Sequence, residues 1–558
     1  MTTNITVRVN EKKLIANLGY TFSNSHTVLS ELMQNARRAK ATKVVISFLE
    51  PDILVVQDDG EGISNFADLL HIAESGWNQA TQDSEEPFGM GWISCLFAAK
   101  HVIVQSHGQK IAFDTADAIN QQAIKIEKGI VQNGTIISLS GFKMSFAEIE
   151  KRLKRLASGF PIPVYLNTVE LPRPYAEESL GNIVSIPGGK AWLNKRAIDN
   201  YFRFRGKLSI RAFLQGLPIY DDFSYNSEKA EVILYLDPKV YKPRMPDRDT
   251  LIDAEKHTKT FTEIGAGLVK SYLLEKKEKL SPDEFVKYWD VAEAYGFLDI
   301  FNDVPVLPAS ILRTPNIDPI AIKPYGSEDD NFTEYKDNVR REDVESGKVV
   351  LCGFDRFYVE EANPANWVLA SQLGWINVAS YIPDEHWAKP FIKFFKDFCS
   401  TEEGEDDGDE IEVIAEPFGV SITGSFSEGW VSINNIILCE GYKLTTKDGQ
   451  YSVTVTDVSV VTALDGQLTT IVPKGDVYPG WIVEQHCDYI CDDDYHEADR
   501  DNDSDAFNGY IAAMRGEPVE VTLKKILTNG GIGNYPTLNG KSLQVTVSDS
   551  GEITISPV

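Results

Sequence analysis

The chain has 558 residues, a formal net charge of −29, 42% apolar residues and six scattered cysteines. That length predicts several domains, and the composition predicts a globular protein with more than one apolar core. Together they exclude a disulfide-stapled scaffold and a membrane-spanning chain, because no apolar run is long enough to cross a bilayer.

The opening MTTNITVRVNEKK lacks the apolar stretch of a signal peptide, so a cytoplasmic location is expected. Charge is unevenly spread. Roughly −21 of it falls in residues 401–558, which marks a separate acidic module. Phosphates would be repelled there, so nucleic acid is not an expected partner, whereas a protein partner is.

The first element in chain order is a helix over about residues 27–40, with Ser25 as its N-cap. Leu29, Leu32, Ala36 and Ala39 form its core stripe, and Glu31, Asn35 and Arg38 form another stripe. The runs KVVISFL (43–49), ILVVQ (53–57), HVIVQS (101–106), KIAFD (110–114) and GTIISL (134–139) predict strands. Residues 1–160 therefore read as a helix layer on a sheet.

PIPVYLN, KLSIRAFLQGLPIYDD and AEVILYLD predict a second α/β domain over 161–260. Residues 261–400 form a helical and mixed region. TEEGEDDGDE (401–410) is an acidic linker. Residues 411–558 alternate apolar and polar positions around Asp-Gly turns, which predicts a β-rich acidic C-terminal domain. The fold class expected is α+β.

Three glycine-bearing segments accompany the helix. DDGEGI (58–63) puts a carboxylate and two glycines at a strand end, where backbone can approach a ligand closely. PFGMGWIS (87–94) places a second glycine pair ahead of an apolar run, and such backbone amides suit phosphate oxygens. NGTIISL begins a strand with Gly134-Thr135. Each alone is an ordinary glycine-rich turn, but their order is specific.

The order resembles the GHKL family: gyrase, the HtpG-type heat-shock chaperones, histidine kinases and MutL. The family's N-box, Glu-x-x-x-Asn, is matched by Glu31 and Asn35. Its first glycine box is matched by Asp58, Gly60 and Gly62, and its second by Phe88, Gly89, Gly91 and Ser94. Thr135 matches the threonine that closes the adenine site. IAESGW (72–77) resembles the start of the chaperones' ATP lid.

The resemblance implies a two-layer α/β sandwich (Bergerat fold) that binds ATP with Mg2+. Glu31 is the implied general base, Asn35 the magnesium ligand and Asp58 the acceptor for the adenine amino group. Arg38 departs from the aspartate usual in chaperone and MutL N-boxes. PRMPDRDTLID (243–253) resembles part of the chaperones' middle domain, which implies that Arg248 reaches the γ-phosphate. The chaperones' glutamine four residues later is Ile252 here.

These features imply an ATPase with chaperone-like architecture, a transducer-like second domain and ATP-gated homodimerisation. The alternative is a nucleotide-gated sensor with little turnover that binds a protein partner through its acidic end, including in phage–host conflict. A histidine kinase lacks support, since no phosphoacceptor helix precedes the site. No strand-cleaving module suggests a topoisomerase. His486, Cys487, Cys491 and His496 fit no standard zinc spacing, and the acids 499–505 lack the glycine and glutamate of a calcium loop.

Overall fold

The computed structural model describes residues 10–21, 26–71, 91–200, 208–222, 231–244, 249–315, 332–354, 364–395, 411–487, 489–491, 494–529, 532, 535–548 and 552–558. The chain divides into two compact units, one of residues 1–279 and 290–297, the other of 280–289 and 298–558.

The first unit begins with helices α1 (Glu11–Thr21) and α2 (His26–Arg38). Strands β1 (Val44–Leu49) and β2 (Ile53–Asp58), helix α3 (Ser94–Ala98), and strands β3 (His101–Ser106) and β4 (Gln109–Asp114) follow. Then come α4 (Thr115–Ile119), β5 (Ile126–Lys128), β6 (Thr135–Ser140), α5 (Phe146–Ala157), β7 (Val164–Leu166) and β8 (Val169–Glu170). The strands form one sheet in the order β5-β4-β3-β6-β2-β1-β7-β8.

Every pair in that sheet is antiparallel except β1 with β7. Period-two alternation turns Val44, Ile46, Leu54, Val56, Val102, Val104, Ile137 and Leu139 to one face. Leu29 and Met33 of α2, Cys95 and Leu96 of α3, and Ile149, Leu153 and Leu156 of α5 close that face into a single core. A capping box between Ser145 and Glu148 starts α5.

The sheet passes the domain boundary expected at residue 160. Val164 and Leu166 belong to the first core, and β7 pairs with β1. A parallel pairing between segments this far apart leaves no local turn signal, so VYL reads in sequence as the start of the next domain.

The first unit also holds a separate five-stranded sheet. Its strands are β9 (Val184–Ile186), β10 (Gly189–Leu193), β11 (Ile210–Leu214), β12 (Leu217–Asp222) and β13 (Val232–Leu236), in the order β12-β11-β13-β10-β9. Helix α6 (Lys195–Asp199) lies between β10 and β11 in the chain. The long helix α7 (Ala254–Lys279) buries Phe261, Gly265, Val269, Tyr272 and Leu273.

The second unit holds a five-stranded sheet built from Leu312–Pro315, Phe332–Glu334, Leu351–Gly353, Ile376–Val378 and Ile392–Phe394. Three- and four-stranded sheets follow between Val413 and Pro473. Two helices, Glu497–Met514 and Val519–Asn529, depart from the β-rich reading of 411–558. In the first of these only Asp503, Phe507 and Ile511 are buried, a stripe one residue wide. The acids weighed as a calcium loop lie on that helix, where Asp503 accepts hydrogen bonds from the Trp430 N–H and the Tyr489 hydroxyl. Among the described residues no helix is long and apolar enough to cross a membrane.

Candidate active site

The candidate site forms at one edge of the first core, where α2, the end of β2 and the start of β6 meet. Helix α2 has no solvated face of the usual kind. Leu29, Leu32, Ala36 and Ala39 are buried as expected, but so are Thr27, Ser30, Glu31, Gln34 and Arg38. Buried polar groups cost stability unless their partners are built in, so this helix is shaped for more than packing. Glu31 is 2% exposed, and Asn35, one turn on, is half-buried. Ser25, the expected N-cap, lies outside the described residues.

Asp58 is the last residue of β2 and sits opposite Thr135, the first residue of β6, in the strand register. Two motifs far apart in sequence thus become neighbours. Asp58 is 9% exposed and Thr135 is also buried. The backbone N–H groups of Gly60 and Thr135 donate to the Asp58 carboxylate, the first at 2.9 Å.

Burial pushes the Asp58 carboxyl above its ordinary value, and the neighbouring Asp59 charge adds to the push, against those two hydrogen bonds. Asp59 has the opposite fate. Burial works against its ionisation, but the Thr42 hydroxyl at 2.5 Å and the backbone N–H groups of Thr42 at 2.8 Å and Lys43 at 3.1 Å outweigh it. The two adjacent carboxylates are thus driven in opposite directions by their surroundings. Asp59 ties β2 to the turn after α2, and Asp58 is buried and held by two backbone N–H groups.

The glycines carry the close approaches. A Cβ on Gly60 would lie 2.5 Å from the Ala39 carbonyl oxygen, and the next residue, Glu61, donates its N–H to that oxygen at 2.7 Å. Gly62 has φ +74° and would press a side chain onto Ser106 and His107. Gly91 faces Glu31 so closely that a Cβ there would stand 1.9 Å from Glu31 Oε2. The Ser94 hydroxyl donates to the Gly91 carbonyl at 2.6 Å and fixes that turn. Gly91 therefore meets Glu31.

At each of these glycines a side chain would collide with neighbouring protein atoms, and at Gly91 that neighbour is the buried Glu31 carboxylate. Phe88, Gly89, residues 72–77 and Arg248 lie outside the described residues. Among the described residues no group of three or more His, Cys, Asp or Glu side chains forms a metal centre.

Ser106 has no place in the motifs read from sequence. It is fully buried at the end of β3, donates to the Gly134 carbonyl at 2.8 Å and accepts from the Ile63 N–H at 2.9 Å. It ties the first glycine loop to the Thr135 strand. The signal that marks it is parity: Val102, Val104 and Ser106 all point inward, and a serine at a core position asks for a reason.

Gly134 gives a direct test of this edge. Its φ is +76°, and a Cβ there would stand 2.0 Å from the Asp58 carbonyl oxygen. Gly134→Ala is expected to lose at least about 1 kcal/mol from the left-handed backbone alone, with the collision in addition. Thermal denaturation should show a drop of several degrees, while Gly181→Ala, with nothing within 4 Å of its Cβ, should melt like the parent.

Residues 22–152 match the family model described as "Histidine kinase-, DNA gyrase B-, and HSP90-like ATPase". The match supports a GHKL-type ATPase domain in this part of the chain. It begins just ahead of α2, ends on α5, and contains Glu31, Asn35, both glycine boxes and Thr135. No curated protein matches the chain.

Proposed function

We propose that this chain is a magnesium-dependent ATPase of chaperone-like type, which closes a lid over ATP and pairs its N-terminal domains as a homodimer. One observation carries the reading: Asp58 and Thr135 meet in register beside a glycine loop, on the same domain that sets Glu31 against Gly91.

Asp58 accepts the amino group of adenine. Guanine presents a carbonyl at that position and would leave the buried carboxylate unpaired, so the site selects ATP over GTP. Thr135 supports the same edge of the base. Gly60 and Gly62 let the backbone pass close to the nucleoside, while Gly89 and Gly91 leave room for the phosphates.

Asn35 would hold the magnesium ion, which supplies charge neutralisation on the phosphates. Glu31 takes the proton of the attacking water. Its near-complete burial strengthens that interaction, since little solvent competes. Arg248 arrives from the transducer-like domain and stabilises the charge that builds on the γ-phosphate. The acidic C-terminal domain, 411–558, recognises a protein partner in the cytoplasm.

Arg38, buried three residues beyond Asn35, favours a second reading. There the chain binds ATP as a switch with little turnover. Steady-state phosphate release separates the two. The ATPase reading expects magnesium-dependent turnover that Arg248→Ala lowers at least about tenfold with ATP affinity unchanged, the mark of a contact made in the transition state. Binding without turnover supports the switch.

A further inference from the structure

One buried polar residue of α2 has no part in the nucleotide chemistry. Gln34 stands between Glu31 and Asn35 and is 0% exposed. Its side-chain Nε2 donates to the backbone carbonyl of Gln215 at 2.8 Å, and its Oε1 accepts from Arg37 Nε at 2.8 Å.

Gln215 belongs to the second sheet. With Gly216 it forms the two-residue turn of the β11–β12 hairpin, and both have positive φ, 53° and 81°. The hairpin tip is wedged against the first domain. A Cβ on Gly216 would lie 2.5 Å from Pro161 Cδ, and one on Gly159 would lie 2.3 Å from Phe213 Cε1. Leu217 belongs to the first core.

One ion pair binds β12 to α5, and a second binds the segment after β13 to the same helix. Arg155 Nη2 reaches Asp221 Oδ2 at 3.1 Å, and Arg152 Nη2 reaches Asp249 Oδ1 at 2.5 Å. Asp249 directly follows Arg248 in the chain.

We infer that Gln34 is a positioning residue through which the second domain sets the helix that carries Glu31 and Asn35. The inference rests on the site reading above. Gln34 lies three residues after Glu31 and one before Asn35, so a shift or rotation imposed at Gln34 moves both. A retreat of the hairpin tip would strip a buried amide of its acceptor, so tip and helix move together. A displacement of about 1 Å at reacting groups is enough to cost roughly a hundredfold in rate.

The two bonds of Gln34 can be separated in the full-length protein. Gln34→Glu keeps an acceptor for Arg37 and loses the donor to Gln215, while Gln34→Met keeps the length and loses both. Without nucleotide, Gln34→Glu is expected to speed amide hydrogen exchange in residues 26–38 and in 210–222, with the strands between 101 and 140 unchanged. With nucleotide, the expected result is an ATP Kd within about threefold of the parent and a kcat lower by roughly ten- to a hundredfold.

Unchanged exchange in 210–222 would overturn the coupling. A rise across the whole domain, with affinity and kcat falling together, would reduce Gln34 to a packing residue and overturn it as well. If Gln34→Glu does not fold, Gln34→Met carries the same readouts. The exchange arm needs no nucleotide, so a parent protein that fails to bind ATP refutes the site reading while the coupling is still decided.

Discussion

Asp58→Asn is expected to lower ATP affinity by roughly ten- to a hundredfold, the equivalent of about 1.5–3 kcal/mol for a charge-assisted bond in a buried site. The substitution is nearly isosteric. Asparagine keeps a carbonyl oxygen that can accept from the Gly60 N–H, so the loop should hold its shape. What changes is that an NH2 group replaces an acceptor facing the adenine amino group, setting donor against donor.

Stability should move the other way. Burial raises the Asp58 pKa above its ordinary 3.8 in the folded state, so the folded chain binds this proton more tightly than the unfolded chain. Ionisation therefore costs stability as pH rises from 3.8 through the folded value, and that cost persists at neutral pH. Asp58→Asn removes it, so Tm at pH 7 should be equal to or above the parent's. The same shift gives the parent a pH signature: ATP affinity should weaken on acidification through the raised pKa, as the acceptor takes up a proton. Calorimetry at several pH values with a melting curve at each checks both signs.

Glu31→Ala is expected to leave ATP binding within a few-fold of the parent and to lower turnover by about a hundred- to ten-thousandfold, the usual worth of a general base. The geometry argues that binding survives. Glu31 on α2 faces the Gly91 turn, whereas Asp58 and Thr135, the proposed adenine edge, stand on β2 and β6. Removing a buried carboxylate also relieves the adjacent Cys95, whose thiol is pushed up first by burial and then by the Glu31 charge. Single-turnover phosphate release checks the rate, and nucleotide titration checks the affinity. Equal turnover in parent and variant would remove Glu31 from catalysis.

Much of this site is legible in the amino-acid sequence because its signals are local. The strands that frame it announce themselves by β-branched alternation, and HVIVQS is β3 residue for residue. The glycine-bearing segments are legible because positive φ and close approach leave few substitutes, as Gly62 and Gly134 show. What sequence does not show depends on long-range pairing. The parallel contact of β7 with β1, the Ser106 bridge to Gly134 and the grip of Gln34 on Gln215 each join segments with no local mark of one another. The helix Glu497–Met514 is hidden for a different reason: it carries so little apolar periodicity that it falls within the β-rich expectation for 411–558.

The most direct test of the central claim is a calorimetric titration of ATP and of GTP, each with magnesium, into the full-length protein and into Asp58→Asn. The account predicts one ATP site per chain in the parent, at least roughly tenfold weaker ATP binding in the variant, and little GTP binding to the parent. Equal binding of ATP and GTP by the parent, or unchanged ATP affinity in Asp58→Asn, would contradict it.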